Sequence, residues 1–181
     1  MHPLAYRMRA ILHNMGVKEP PKDFYLAFRP LIKLDREEHV KLVLNAVKKY
    51  KPRLVILDPL FRMLEGDENS QKDINKVIDA LFKIRACGTV IMLLAHLNTT
   101  HGDNAQKDID SQVRGSSLIV GSYDVHLALR KYTNKTKHID LTVRNRNGAE
   151  EEFAVFWKIK NDENDFPIDA GIQIIQKGPQ K

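Results

Sequence analysis

Cysteine is almost missing from this 181-residue chain: Cys87 stands alone, so no internal disulfide can form and a reducing, intracellular home is favoured. Long apolar runs are missing too. The longest, Val90 to Ala95, is far below the roughly 20 residues needed to span a bilayer, and the opening "MHPLAYRMRA" lacks the apolar core of a secretory signal. Together these absences point to a cytoplasmic protein without a membrane segment. A third absence concerns chemistry. The phosphate-cradling pattern G-x-x-x-x-G-K-[ST] occurs nowhere, and no glycine is followed by lysine at all. Internal repeats and low-complexity segments are also lacking.

What remains is an ordinary globular composition. With 43% hydrophobic and 29% charged residues the chain can bury one sizeable core, and disorder throughout is excluded. The formal charge of +6 and pI of about 9.4 suit contact with a polyanion, but charge speaks to association and not to fold. Residues 1–176 read as a single domain, and 177–181 as a basic tail.

Pro3 in a first helical turn and Gly16 just past the end bracket "PLAYRMRAILHNMG" as a short helix. "DFYLAF" at 23–28 alternates and predicts a strand closed by Pro30. "DREEHVKLVLNAVKKY" opens with a capping-box pattern, Asp35 as N-cap and Glu38 three residues on; Val40, Val43, Val47 and Tyr50 share one face. Pro52 ends this helix. "RLVIL" follows, apolar on both faces, as a central covered strand. A helix beginning at Ser70 and Asp73 carries Ile74, Val77, Ile78, Leu81 and Phe82 on one face, and Gly88 stops it. "TVIMLLA" is a second wholly apolar strand. Strand, helix, strand with both strands buried implies a parallel crossover and an α/β class. After a long polar loop, 98–112, three alternating segments, "DVHLALRK", "HIDLTVRN" and "EEFAVFWKI", predict antiparallel strands at one side of that sheet. "IQIIQ" is a last short strand.

Ligands of open parallel sheets bind beyond the carboxyl ends of the strands. Asp58 ends "LVIL" and His96 ends "IMLLA". An acid there can orient a magnesium-bound water, and an imidazole can hydrogen-bond a terminal phosphate. A structural reading stands beside this one: an aspartate before proline shapes turns, and a histidine at a strand end can be purely structural. His96, His101 and Asp103 make a poor metal cage on a glycine-containing loop. Cys87 has no evident base beside it and reads as structural.

The order "LVILDPLFRMLEGDEN", amphipathic helix, "VIMLLAHLN", polar loop and "VRGSS" resembles the RecA-like ATPase core, in the branch of the RepA-type replicative helicases, over about residues 35 to 160. The resemblance implies a mainly parallel sheet flanked by helices with C-terminal antiparallel strands, with ATP and Mg2+ as cofactors, a homo-oligomer and single-stranded DNA as partner. It makes Asp58 the magnesium-site acid of the Walker B strand and His96 the γ-phosphate sensor, with Asn98 beside it. Arg144 and Arg146, one residue apart in "LTVRNRNG", match the basic pair that reaches a neighbouring subunit's nucleotide; they also fit as exposed residues on a strand and its turn. Lys107 and Arg114 become candidate DNA contacts, although Asp103, Asp108 and Asp110 offset their charge and no aromatic residue offers a stacking platform. The P-loop and the water-activating glutamate of that family would lie before Met1. The expectation is therefore an N-terminally truncated ATPase domain, inactive by itself, or a non-enzymatic DNA-binding or assembly module that keeps the fold. An α/β enzyme of another class using the same crevice is a third reading.

Overall fold

The computed structural model describes residues 3–28, 30–67, 69–96, 117–131, 138–147 and 150–177. These divide into two compact units, one built from residues 25–123 and the other from residues 1–24 with 124–181. Among the described residues no helix is long and apolar enough to cross a membrane.

The central unit begins with α2, Glu37–Tyr50, then β1, Leu54–Leu57, a 3-10 turn at Leu60–Met63, α3, Gln71–Arg85, β2, Val90–Leu93, and α4, Ser117–Ser122; α1, Pro3–Asn14, precedes them in the chain. β1 and β2 pair in parallel with Leu54 opposite Val90 and Leu57 opposite Leu93, the crossover that strand, helix, strand predicts. Ser70 caps α3 by accepting from the Asp73 N–H at 3.4 Å, and Gly88 adopts φ +84 beyond its end, where a side chain would be strained. The buried stripe of α3 is Ile74, Val77, Ala80 and Ile84. It meets Val40 and Val47 of α2, Leu57 of β1 and Leu60, Met63 and Leu64 of the following segment in one cluster. Phe82, expected on that stripe, is exposed.

The structure corrects several expectations. β1 and β2 are covered on one face only: Val55, Leu57, Ile91 and Leu93 turn to the helices, while Leu54, Ile56, Val90 and Met92 are 40–65% exposed. A continuous apolar run reports two hydrophobic faces, not that both are covered. Residues 23–28 form no strand, because a strand needs a ladder partner and none pairs with them among the described residues. Tyr25 instead lies against Tyr50 at the end of α2, ring centroids 4.3 Å apart and planes tilted by 33°. Asp35 does not cap α2; the N-cap is Arg36, without a side-chain cap, and the Asp35 carboxylate binds elsewhere. No local pattern in the sequence signals the short helix α4.

In the other unit β3, Val125–Arg130, β4, Ile139–Asn145, β5, Glu150–Asn161, and β6, Pro167–Gln176, form an antiparallel meander. It is a separate four-stranded sheet and not an extension of the parallel pair. α1 packs against β6, with Ala10 buried and Gly16 at φ +70 closing the helix. Gly171 of β6 leaves room for the Asn14 side chain, which would have to move if a Cβ were added there. By register the opposite face of the sheet carries Leu127, Leu129, Trp157, Ile159, Ile172 and Ile174, each half-exposed.

Candidate functional site

The carboxyl ends of β1 and β2 are neighbours. The Leu94 N–H donates to the Leu57 carbonyl at 2.9 Å, and the Leu60 N–H donates to the Leu94 carbonyl at 2.8 Å. The pairing thus runs past both strands before the chain turns at the cis Asp58–Pro59 peptide into the 3-10 turn. Asp58 follows directly from β1, and His96 follows β2 through Leu94 and Ala95; both are exposed. The His96 ring lies against Phe61 of the 3-10 turn, centroids 5.4 Å apart at an interplanar angle of 42°. One end of one parallel pair therefore presents a carboxylate and an imidazole to solvent.

A set of side chains that the sequence reading did not assign holds the segment leading away from Asp58. The Asp35 carboxylate accepts from the Glu65 N–H at 3.1 Å and the Gly66 N–H at 2.9 Å. Arg36 grips Glu65 with both donors of one guanidinium edge, Nε to Oε2 at 2.5 Å and Nη2 to Oε1 at 2.6 Å. Lys33 Nζ donates to the carbonyls of Arg62 and Leu64, each at 2.9 Å. The Arg36 hydrogen bond holds the Glu65 carboxyl below its usual range, and Glu65 in turn raises the Arg36 guanidinium. Gly66 is needed here, because a Cβ would sit 2.5 Å from Asp73 Oδ2. "DREE" reads locally as a capping box; that its first two members clamp a segment about 30 residues further along is a tertiary fact that the local pattern does not carry.

The arginine pair sits in the antiparallel sheet. Arg144 is on β4 directly opposite Glu150 of β5, and its Nε and Nη2 lie 2.8 and 2.6 Å from Glu150 Oε2. Arg146 is in the turn after β4, its Nη1 3.8 Å from Asp124 Oδ1 and its backbone N–H bonded to the Asp124 carbonyl at 2.9 Å. Both guanidinium groups are thus engaged within the chain. Asn98, Lys107 and Arg114, together with His101 and Asp103, lie outside the described residues.

A Mg-nucleotide site asks for more than the exposed carboxylate of Asp58 and imidazole of His96. Among the described residues no three His, Cys, Asp or Glu stand together as a cage for a metal ion. The phosphates need backbone amides and a lysine, and the sequence contains no G-x-x-x-x-G-K-[ST] to supply them. The residues present do not complete such a site, and no catalytic step follows from them alone.

Comparison with known families gives the class. Residues 2–102, more than half of the 181, match the family described as "AAA domain". The chain belongs to the AAA domain family, a nucleotide-binding, ATPase-type class of P-loop fold. Its α/β architecture, a parallel pair plus a C-terminal antiparallel sheet, is compatible with an AAA/RecA-like domain. No curated protein matches the chain.

Proposed function

We propose that this chain is a RecA-like ATPase domain related to the RepA-type hexameric replicative helicases, whose ATP-driven work is done on DNA. One observation supports this most: Asp58 and His96 follow the same ends of parallel neighbours β1 and β2. In this reading Asp58 orients water on Mg2+, and His96, with Asn98, hydrogen-bonds the terminal phosphate of ATP. Arg144 and Arg146 serve a neighbouring subunit's nucleotide, which requires each to leave its present acidic partner. Lys107 and Arg114 would be its contacts to single-stranded DNA. A cytoplasmic location suits a chain with one cysteine.

The polypeptide by itself turns over ATP negligibly, because Asp58 without a phosphate cradle leaves most of the anionic charge uncompensated. The second reading, a non-enzymatic DNA-binding or assembly module, is favoured by that same missing loop. Calorimetry with Mg-ATP tests both. Weak binding that Asp58→Ala and His96→Ala each abolish, with no phosphate release, is the expected result. Binding indifferent to Asp58→Ala overturns the site, and turnover that Asp58→Ala abolishes overturns the inactivity. A salt-dependent shift of single-stranded DNA separates the DNA-acting readings from pure assembly.

Self-association belongs to the same proposal. The half-exposed face bearing Leu127, Leu129, Trp157, Ile159, Ile172 and Ile174 offers on the order of 500 Å² of apolar surface. One side of a standard interface buries about 800 Å², a little over half of it apolar, so a second copy of the chain is an occupant of the right size. Sedimentation should show a concentration-dependent dimer or larger species that Trp157→Lys dissociates; a monomer at all concentrations would refute it.

A further inference from the structure

The antiparallel sheet holds a guanidinium whose binding edge is buried and unmatched. Arg130 closes β3 directly opposite Asp140 on β4, so the two side chains share a sheet face. Asp140 is nevertheless committed elsewhere: its Oδ1 accepts from Lys177 Nζ at 2.5 Å and lies 3.1 Å from His138 Nε2. Both neighbours are held in place. The Lys177 backbone N–H donates to the Glu152 carbonyl at 2.9 Å, and the His138 ring rests 5.5 Å from that of Phe156. Arg130 Nε and Nη2 are buried, yet neither has a hydrogen-bond partner among the described residues.

Those two N–H groups form one edge of the guanidinium plane, the edge that takes a pair of anionic oxygens side-on. Among the described residues a carboxylate fills that edge in Arg36 with Glu65 and in Arg144 with Glu150. A buried charged donor left without an acceptor is costly, so the Arg130 edge calls for the same kind of group. His138 and Lys177 are about one-third exposed, so the cluster opens to solvent.

We infer that Arg130, set opposite the Asp140 that Lys177 and His138 engage, is a binding site for one oxyanion group, a carboxylate or a phosphate, carried by a ligand that the nucleotide reading does not include. Asp140 sets the sign of selectivity by disfavouring groups that bring more than one negative charge close to it. The site lies wholly in the unit that carries the antiparallel sheet and stands or falls independently of Asp58 and His96.

Titration of the full chain with acetate and with inorganic phosphate, at ionic strength held constant with chloride, tests the inference. The readout is the Arg130 Nε–H resonance in ¹⁵N-resolved NMR. A saturable shift with one or both anions, and none with chloride, is expected; which anion saturates identifies the oxyanion type. Arg130→Lys keeps the charge but loses the fork and should weaken binding by at least about tenfold. Lys177→Gln should weaken it several-fold. If Arg130→Lys does not fold, the wild-type titration still decides. Shifts that merely track ionic strength, a lysine variant binding as tightly as wild type, or an Arg130 Nε–H already bonded to Asp140 without added anion would each overturn the site.

Discussion

Replacing Asp35 by alanine tests whether the segment after Asp58 is held from outside its own strand. The carboxylate accepts from two successive backbone N–H groups, Glu65 and Gly66, at 3.1 and 2.9 Å. Charge-assisted bonds of this kind contribute about 1.5–3 kcal/mol when well shielded, but Asp35 is only half-buried, so the local loss is about 1–2 kcal/mol. Arg36 and Lys33 keep their own grips on Glu65, Arg62 and Leu64, so the loop loosens without detaching. Amide hydrogen exchange reads this directly. Exchange at Glu65 and Gly66 should speed up roughly 5–30-fold while the amides of α3 hold their protection. Asp35→Asn, which keeps one acceptor oxygen, should fall between. Unchanged exchange at those two amides in Asp35→Ala would refute the clamp, and with it the account of what steadies the chain beyond Asp58.

Three other outcomes follow from the same geometry. Ile74→Ala empties a fully buried position of α3 and should cost about 2–5 kcal/mol of unfolding free energy, read from the urea midpoint; a near-wild-type midpoint would mean the cluster is not close-packed. Arg144→Ala should cost under about 1 kcal/mol, since its pair with Glu150 is partly exposed, so a large functional loss in a stable variant would mark a role beyond the sheet. Acid should weaken the central unit: Arg36, Lys41 and Lys76 hold the Glu65, Glu37 and Asp73 carboxyls below their ordinary values of 4.5, 4.5 and 3.8. Groups depressed by folding stabilise fully above those ordinary values and lose that contribution as pH falls through the depressed ones. Thermal unfolding should therefore show a decline confined to that acid range and flattened by salt, and an unchanged midpoint there would count against these pairs.

Local signals carried much of the fold. Gly16 and Gly88 mark helix ends, Ser70 caps α3, and the wholly apolar runs become β1 and β2, because caps, left-handed positions and periodicity are decided within a few residues. The same locality explains the failures. "DFYLAF" alternates like a strand, but pairing needs a second strand, which no local pattern reports. Asp35 has the spacing of a helix cap, yet two N–H groups 30 residues further along compete for its carboxylate and hold it. Even-numbered positions of β1 and β2 are as apolar as odd ones, and hydropathy cannot say which face the helices cover.

The order of residues by itself determined that an acid and a histidine each close an apolar strand, since side-chain chemistry and strand periodicity are properties of the chain alone. Tertiary structure decided that those strands are parallel neighbours, that Arg144 faces Glu150, and that Arg130 keeps a buried edge without an acceptor. Such facts depend on which segments meet in space, and the free energy that chooses among meetings is summed over the whole core and not over any one stretch of sequence.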